Sequence, residues 1–370
     1  MRCVLNINEI NLINFRNYKN TIVKPSSFNI LYGNNAQGKS NLIEAIYYLG
    51  NGVSFRTNQN KELIKWDSDY LRVEANCQNE NGLFNLKSVL NNSEKRILID
   101  DIKIKKLSDL FSYISVCIFE PDDLALIKGN PSKRRNFIDR DLVTIYPLYY
   151  DLLKKFNNVN YQRNTLLKYV KRDKHLLCQV EDWTDIYKKL AYKIVTKRID
   201  FLTKLKPYMS HYLKKITQGK ENIDIIYEIS QIGEINVDLN TYLEKLDSLK
   251  SEEIEKGNSI FGPHRDDFNV YINGYNVKKY GSQGQQRTVA LCLKLSYLEI
   301  ANQEIGEYPI LLLDDVMSEL DLERRIVLTD TIKDNIQTFI TTTDLDMIKG
   351  LVKKSTILKI EDGNVVNISS

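Results

Sequence analysis

The chain has 370 residues, 42% hydrophobic and 27% charged, with a formal net charge of only +4, which is mass enough for one large or two medium cores. It contains no run of about 18 apolar residues, and Met1-Arg2-Cys3-Val4 has a β-like apolar pattern and not that of a leader peptide. Neither a membrane span nor secretion is therefore expected, and the chain should be cytoplasmic. Five cysteines (Cys3, Cys77, Cys117, Cys178, Cys292) are odd in number, scattered and never spaced C-x-x-C, which argues against a disulfide framework or a zinc site and makes each a small core residue. Only three histidines are present, too few to suggest a metal hydrolase.

Over the first 30 residues apolar and polar positions alternate, as at Ile7, Ile10, Leu12 and Ile13 and again from Thr21 to Val23, predicting β-strands. A further β-type run, Phe28 to Tyr32, leads into Gly33-Asn34-Asn35-Ala36-Gln37-Gly38-Lys39-Ser40, which reads G-x-x-x-x-G-K-S and opens a helical stretch from Asn41 to Leu49. Strand, glycine loop and helix in that order form a phosphate-binding loop. The glycines let the backbone curl so that its N–H groups face the phosphates, and the helix adds its positive N-terminal end. Lys39 is expected at the β- and γ-phosphates, and the Ser40 hydroxyl on Mg²⁺. A glycine-rich turn that merely ends a strand is the plain alternative, and the strand-to-helix setting weighs against it.

Beyond the first helix, Tyr70 to Cys77, Leu83 to Leu90 and Arg96 to Ile104 read as strands separated by Asn/Gly turns. The texture changes at Leu124, from where helical patterns run to about Glu255, punctuated by Pro207. Their apolar positions do not hold a 3.5 repeat over several heptads, so a helical lobe is predicted and not a long coiled-coil arm. Charge is uneven here. Residues 151–220 carry 17 Lys+Arg against 6 Asp+Glu, a local +11, and residues 221–260 carry 3 against 10. Such asymmetry suggests an anionic partner, although solvated helix faces explain it equally well. After Gly257 the β texture returns in Phe268 to Ile272, followed by a helix from Gln285 to Gln303 and strands at Tyr308 to Leu313, Thr338 to Thr341 and Thr356 to Ile360. The expected organisation is an α/β head in two parts, residues 1–123 and 257–370, around a mostly α-helical lobe, residues 124–256.

Ile310-Leu311-Leu312-Leu313-Asp314-Asp315 is a buried strand ending in two acids. Asp314 is placed to hold Mg²⁺ through water and Asp315 to polarise the attacking water. A turn or helix cap is the alternative for such a pair. Upstream, Tyr280-Gly281-Ser282-Gln283-Gly284-Gln285-Gln286-Arg287 stands before a helix and supplies a second anion-binding N-terminus. It resembles the signature of ABC ATPases, which closes on the γ-phosphate held by another subunit, with Gln283 in place of the first glycine of the usual pair. Ser318-Glu319-Leu320-Asp321 resembles the loop that crosses the same dimer seam. The family's glutamine between the two halves has no match, and Thr342-Thr343 stands where many relatives have histidine.

The whole chain then resembles one family. Asn14-Phe15-Arg16-Asn17-Tyr18, the stretch from Tyr32 to Ile46, Ser54-Phe55-Arg56-Thr57, Pro121-Asp122-Asp123-Leu124 with Lys128-Gly129 and Arg134-Arg135, Gly262-Pro263-His264-Arg265-Asp266-Asp267, Ser282 to Arg287 and Leu312 to Asp321 are similar, in order, to the RecF family of bacterial DNA replication and repair proteins. The resemblance implies an ABC-type ATPase head (P-loop nucleoside triphosphate hydrolase) related to the structural-maintenance-of-chromosomes ATPases. It implies ATP and Mg²⁺ as ligands, slow, DNA-stimulated hydrolysis, ATP-dependent homodimerisation on single-stranded and duplex DNA, and recruitment of RecR, with RecO, to load RecA in place of single-strand-binding protein and support the SOS response. Carried over by position, Gly33, Asn34, Asn35, Ala36, Gln37, Gly38, Lys39, Ser40 and Asn41 bind nucleotide, Arg16 touches the phosphates from the side, and Ser282, Gly284 and Gln285 act in trans. DNA would be met by phosphate contact, with Lys133, Arg134, Arg135 and the lysines of 151–220 as candidates. The nucleotide-binding subunit of a membrane transporter would share the ATP site. The 200-odd residues between phosphate loop and signature, and the basic helical block, speak against it.

Overall fold

The computed structural model describes residues 5–233, 238–332, 335–348 and 355–368; Met1 to Val4, with Cys3, lie outside them. In chain order, β1 (Asn6–Phe15) and β2 (Tyr18–Val23) form a hairpin closed by Arg16 and Asn17, and β3 (Phe28–Tyr32) leads through the glycine loop into α1 (Lys39–Asn51). Next come β4 (Tyr70–Asn79), β5 (Gly82–Asn91), β6 (Lys95–Ile99), β7 (Ile102–Lys103), α2 (Leu107–Phe111), β8 (Val116–Phe119) and α3 (Pro121–Leu124). The middle holds α4 (Pro131–Ile145), α5 (Pro147–Val170), α6 (Leu177–Thr217), β9 (Ile223–Glu228), α7 (Leu239–Ser248), α8 (Lys250–Lys256), β10 (Asp267–Ile272), β11 (Tyr275–Asn276) and α9 (Val277–Tyr280). The chain ends with α10 (Gln283–Ile305), β12 (Ile310–Leu313), α11 (Leu322–Ile332), β13 (Thr338–Thr342), β14 (Thr356–Glu361) and β15 (Asn364–Ile368). Contacts divide it into two compact units, Met1–Leu124 with Ala290–Ser370, and Ala125–Val289.

The first unit is built on two six-stranded sheets. One, in the order β2-β1-β4-β5-β6-β7, is antiparallel; the other, β15-β14-β3-β13-β12-β8, is parallel except for β15. All four residues of β12 are buried, as are all five of β13; covered on both faces, β12 reads as an unbroken apolar run, whereas β13 holds three buried threonines. Helix α1 buries 11 of its 13 residues and joins one apolar cluster with strands of both sheets. A helix so enclosed cannot shift, so the loop that precedes it is held at a set position at the end of β3.

The second unit packs α5 against the 41-residue α6, which spans about 60 Å at 1.5 Å per residue. Pro207, expected to end a helix, lies inside it. One element differs from the sequence reading: Ile223–Glu228, within the stretch read as helical, is a strand. It pairs antiparallel with β10, Phe268 opposite Tyr227 and Val270 opposite Ile225, in the three-stranded sheet β11-β10-β9. Its six residues alternate buried and half-buried, but the partner that makes this a strand lies about 40 residues downstream. That pairing keeps the residues after Gly257 with the second unit, whose limit falls at Val289 and not at residue 256.

Arg134 and Arg135, expected to meet DNA, are structural, and so are two arginines of the basic block, Arg163 and Arg198. Arg134 is 1% exposed, makes a two-pronged pair with Asp267 at 2.7 and 2.6 Å and donates to the carbonyls of Ile127 and Gly129. Arg135 donates to the Asp266 carbonyl. Arg163 is paired with the fully buried Glu253, and Arg198 holds Asp139 with two bonds while donating to the Pro263 carbonyl and the Tyr227 hydroxyl. A guanidinium is buried only when its donors are satisfied, and these satisfy one another's neighbours. Cys178 also departs from expectation, since it is exposed, whereas Cys77, Cys117 and Cys292 are buried.

The Gly262 to Asp267 segment crosses this network. Asp266 accepts from the Tyr227 hydroxyl and the Ser230 N–H at 2.9 Å each, and burial pushes its carboxyl up to about 7. Burial pushes His264 the other way, down to about 4. As pH falls from 6.5 towards 4, the unfolded chain protonates its histidine and the folded one does not, so His264 removes stability. Over nearly the same window folded Asp266 takes up a proton that the unfolded carboxyl does not, so it adds stability. The Asp266→Asn variant removes the second effect alone. Its stability, followed by urea unfolding at pH 7, 6 and 5, should therefore fall more steeply with acid than that of the parent chain.

Candidate functional site

The glycine loop follows from its neighbours. At Gly38 the backbone has φ +115°, and a Cβ there would stand 2.6 Å from the Asn17 side-chain nitrogen, so only glycine fits. Gly38 gives α1 no side-chain cap, and no acid occupies the first turn. The first N–H groups of the helix are thus left to a ligand, which the dipole requires to be an anion. Lys39 is buried and its Nζ donates to the Gly33 and Asn34 carbonyls at 2.7 and 2.8 Å, folding the side chain back across the loop. Burial lowers its pKa, against the opposing charges of Asp315 and Asp314.

Asp314 and Asp315 lie at the end of β12, next to β13 and one strand from β3, so the parallel order of the sheet brings the acids to the loop. Ser40 Oγ and Thr341 Oγ1 both donate to Asp314 Oδ1, each at 2.9 Å. Burial raises the Asp314 pKa, and those two hydrogen bonds oppose it. Thr341 Oγ1 also accepts from the Asp315 N–H at 2.7 Å, so one hydroxyl couples the two acids. Asp315 stands at φ +54°, a left-handed conformation that costs a non-glycine residue about 1–2 kcal/mol. Ser318 holds it there by donating to its carbonyl and, at 3.2 Å, to its carboxylate. A cavity of about 310 Å³ opens beside these groups, lined among others by Asn35, Gly38, Lys39, Ser40, Asp315 and Thr343. Thr342 points elsewhere and donates to the Asp344 carbonyl. The Ser40 hydroxyl and the Asp314 carboxylate present adjacent hard oxygens, the donor type that suits Mg²⁺ completed by water and phosphate.

Arg16 differs from expectation. Its Nε and Nη2 bind Glu44 at 2.9 and 2.8 Å and its Nη1 donates to the Glu62 carbonyl, so its donors are turned away from the phosphate cavity, whose lining does not include it. Arg56 lines that cavity instead, held by Asn41 at 2.8 Å and Glu44 at 3.3 Å. Glu44 is fully buried and also accepts from Ser54. The sequence pattern assigns no role to Glu44, Arg56 or Thr341. Glu44 stands one turn beyond Ser40 on α1, and that spacing was the available signal.

In the second unit Ser282 and Gln285 cap α10 reciprocally: Gln285 N–H donates to Ser282 Oγ at 3.2 Å, and Ser282 N–H to the Gln285 side chain at 2.9 Å. Gln285 further donates to Glu221, and Ser282 is exposed. Gly284 occupies the first turn of the same helix.

An uncapped helix behind a glycine loop, two acids at the end of a strand one removed from the loop's own and a serine-capped second helix define a phosphate-loop ATPase head of the ABC type. The family model for the RecF/RecN/SMC N terminal domain matches residues 6–365. Over 97% of its length the chain is 38% identical to the DNA replication and repair protein RecF of a Geobacillus species (98% of that protein) and 37% identical to that of Bacillus subtilis (99%). The solved structure of the recombination mediator protein RecF with ATP, in the RecFOR pathway, superposes with a TM-score of 0.90 at 34% identity over 100% of this chain and 99% of that one. The Smc head domain of Pyrococcus furiosus shares the fold, with a TM-score of 0.58 at 16% identity, covering 99% and 96% of the two chains. The chain belongs to the RecF family.

Thr341→Val keeps the shape of the side chain but leaves the Asp315 N–H and one Asp314 oxygen each short of a partner, at a cost of about 1–3 kcal/mol. Urea unfolding should show that loss, and ATP turnover should drop with it. Thr341→Ser, which keeps the hydroxyl, should stay near the parent on both counts.

Proposed function

We propose that the protein is an ATP-driven switch on DNA, in which two copies pair around two nucleotides. The observation that carries this is the division of anion-binding groups: the loop and acids in one unit, and a serine-capped, exposed helix N-terminus in the other. Lys39 would neutralise the β- and γ-phosphates, Ser40 with Asp314 would hold Mg²⁺, and Asp315 would polarise the attacking water. Bound Mg²⁺ would draw charge from the bridging oxygens. Ser282, Gly284 and Gln285 would meet the γ-phosphate held by the other copy, Ser282 Oγ giving up its bond from Gln285 to do so. Nucleotide binding then drives pairing, and hydrolysis, slow because the acid is a short aspartate, resets it.

DNA, single-stranded or duplex, would lie on exposed lysines of α5 and α6 such as Lys154, Lys189, Lys193 and Lys215, with affinity falling steeply as salt rises. Recruitment of RecR with RecO, RecA loading and support of the SOS response are inferred from the family and complete the reading. That the relatives matched over almost the full chain are replication and repair proteins favours this over a transporter subunit.

Light scattering with ATP, ADP or no nucleotide, with and without gapped DNA, tests the switch. The parent chain should double in mass with ATP. Lys39→Met, having lost a charge-assisted contact, should bind ATP roughly 10–100-fold more weakly and stay single. Ser282→Arg should bind ATP normally and also stay single. Normal ATP-driven pairing of the Ser282→Arg chain would remove the trans role.

A further inference from the structure

The start of α10 carries a charge that works against a phosphate. No acid occupies the first turn of the helix itself, yet Glu221, from the connection between α6 and β9, brings a carboxylate to it, Oε1 accepting from Gln285 Nε2 at 2.7 Å. A negative group beside a helix N-terminus offsets the positive end that attracts an anion. Its place there calls for another reason.

The hydrogen bonds of the turn supply one. Gln285 Oε1 accepts from the Ser282 N–H at 2.9 Å, and the Gln285 N–H donates to Ser282 Oγ at 3.2 Å, so the setting of the serine depends on which end of the Gln285 amide faces it. The two ends of a carboxamide are nearly alike in shape, but only the oxygen accepts. A carboxylate has nothing to donate, so Glu221 selects the NH₂ end and leaves the oxygen to Ser282. Turned over, the amide would set an N–H against the Ser282 N–H and its oxygen against the carboxylate, losing two bonds at once.

The frame around this amide is fixed. Asn222, next to Glu221, donates its N–H to Asn273 Oδ1 and accepts from the Asn273 N–H, each at 2.9 Å. On the other side the Gly281 N–H donates to the Val277 carbonyl at 3.0 Å, and a Cβ on Gly281 would stand 2.6 Å from that oxygen. The buried Gln286 side chain donates to the Gly281 carbonyl at 2.7 Å. The backbones beside Glu221 and Ser282 are thus each held, and the Gln285 side chain links them.

We propose that Glu221 is a positioning residue for the phosphate contact made in trans, orienting Ser282 through the Gln285 amide although its own charge opposes the phosphate. The assignment rests on Ser282 meeting the γ-phosphate held by the other copy, and the test separates the two.

ATP-driven pairing would be followed by light scattering over a range of protein concentrations, and ATP affinity at a concentration where the chain is single, for Glu221→Ala, Glu221→Gln and Glu221→Lys. A pair contains two such contacts, and loss of a capping bond is worth about fivefold at each, so Glu221→Ala should weaken pairing about 25-fold and leave the ATP affinity of the single chain unchanged. Glu221→Gln keeps an accepting oxygen at the same reach and should recover most of the loss. Glu221→Lys, which only donates, should pair no better than Glu221→Ala, although it puts a positive charge beside the phosphate. In a Gln285→Ala background Glu221→Ala should add nothing, because the residue acts through that amide. Pairing that strengthens from glutamate to glutamine to lysine overturns the role, since the residue then acts by charge alone. Parent-like pairing of Glu221→Ala, or an undiminished loss in the Gln285→Ala background, overturns it too. The glutamine and lysine variants decide between orientation and charge even if urea unfolding shows Glu221→Ala to be destabilised. Should Ser282→Arg pair as the parent does, the trans site itself falls; should Ser282→Arg stay single while Glu221→Ala pairs normally, only the role of Glu221 falls.

Discussion

A helix that starts without a side-chain cap, clamped in the core at the end of a buried parallel strand, is the constraint on which the site depends. A serine or aspartate cap on α1 would take up one of its first N–H groups and compete there with an anion. Gly38 leaves them open, and the burial of almost the whole of α1 prevents the helix from fraying to relieve them. Lys39 folds over the loop and satisfies the Gly33 and Asn34 carbonyls, and the charges of Asp314 and Asp315 oppose the loss of its proton. The loop is therefore organised before any ligand arrives, and a triphosphate would exchange one set of charge-assisted bonds for another.

Glu44 extends that organisation outward. A fully buried carboxylate is tolerable only when several donors surround it, and here Arg16, Arg56 and Ser54 do so. Because Arg16 comes from the β1–β2 turn and Arg56 from the segment after α1, one carboxylate ties both segments to the helix that follows the glycine loop. Thr341 plays the corresponding part on the opposite wall, since its single hydroxyl sets the orientation of Asp314 and the backbone of Asp315 together. Neither residue needs to touch a ligand to govern the geometry of those that would.

The second unit shows why a basic composition is a poor map of a nucleic-acid surface. Arg134 and Arg198 lie inside, each matched to a specific acid and to backbone carbonyl oxygen, where they hold α4 and α6 to the strands and turns around Asp266 and Asp267, and Arg163 on α5 is matched to Glu253 and to the Thr184 and Ser259 hydroxyls. The exposed positive charge on these helices is carried largely by lysine, a mobile and strongly hydrated cation suited to backbone phosphate contacts that need no fixed register.

Local pattern determined a good deal. Gly33 to Ser40 between a β-type run and a helical one, the unbroken apolar run of β12 followed by two acids, and the serine before α10 each follow from neighbours a few residues apart, where strand period, helix period and capping are already written. Tertiary structure decided what depends on distant partners. Ile223–Glu228 is a strand only because β10 lies beside it, Arg16 turns from the phosphates because Glu44 reaches it across 28 positions, and Thr341 couples the acids only because β13 lies beside β12. The sign of a charge belongs to the residue, but whether that charge meets solvent, a ligand or a buried partner is set by what the fold packs against it.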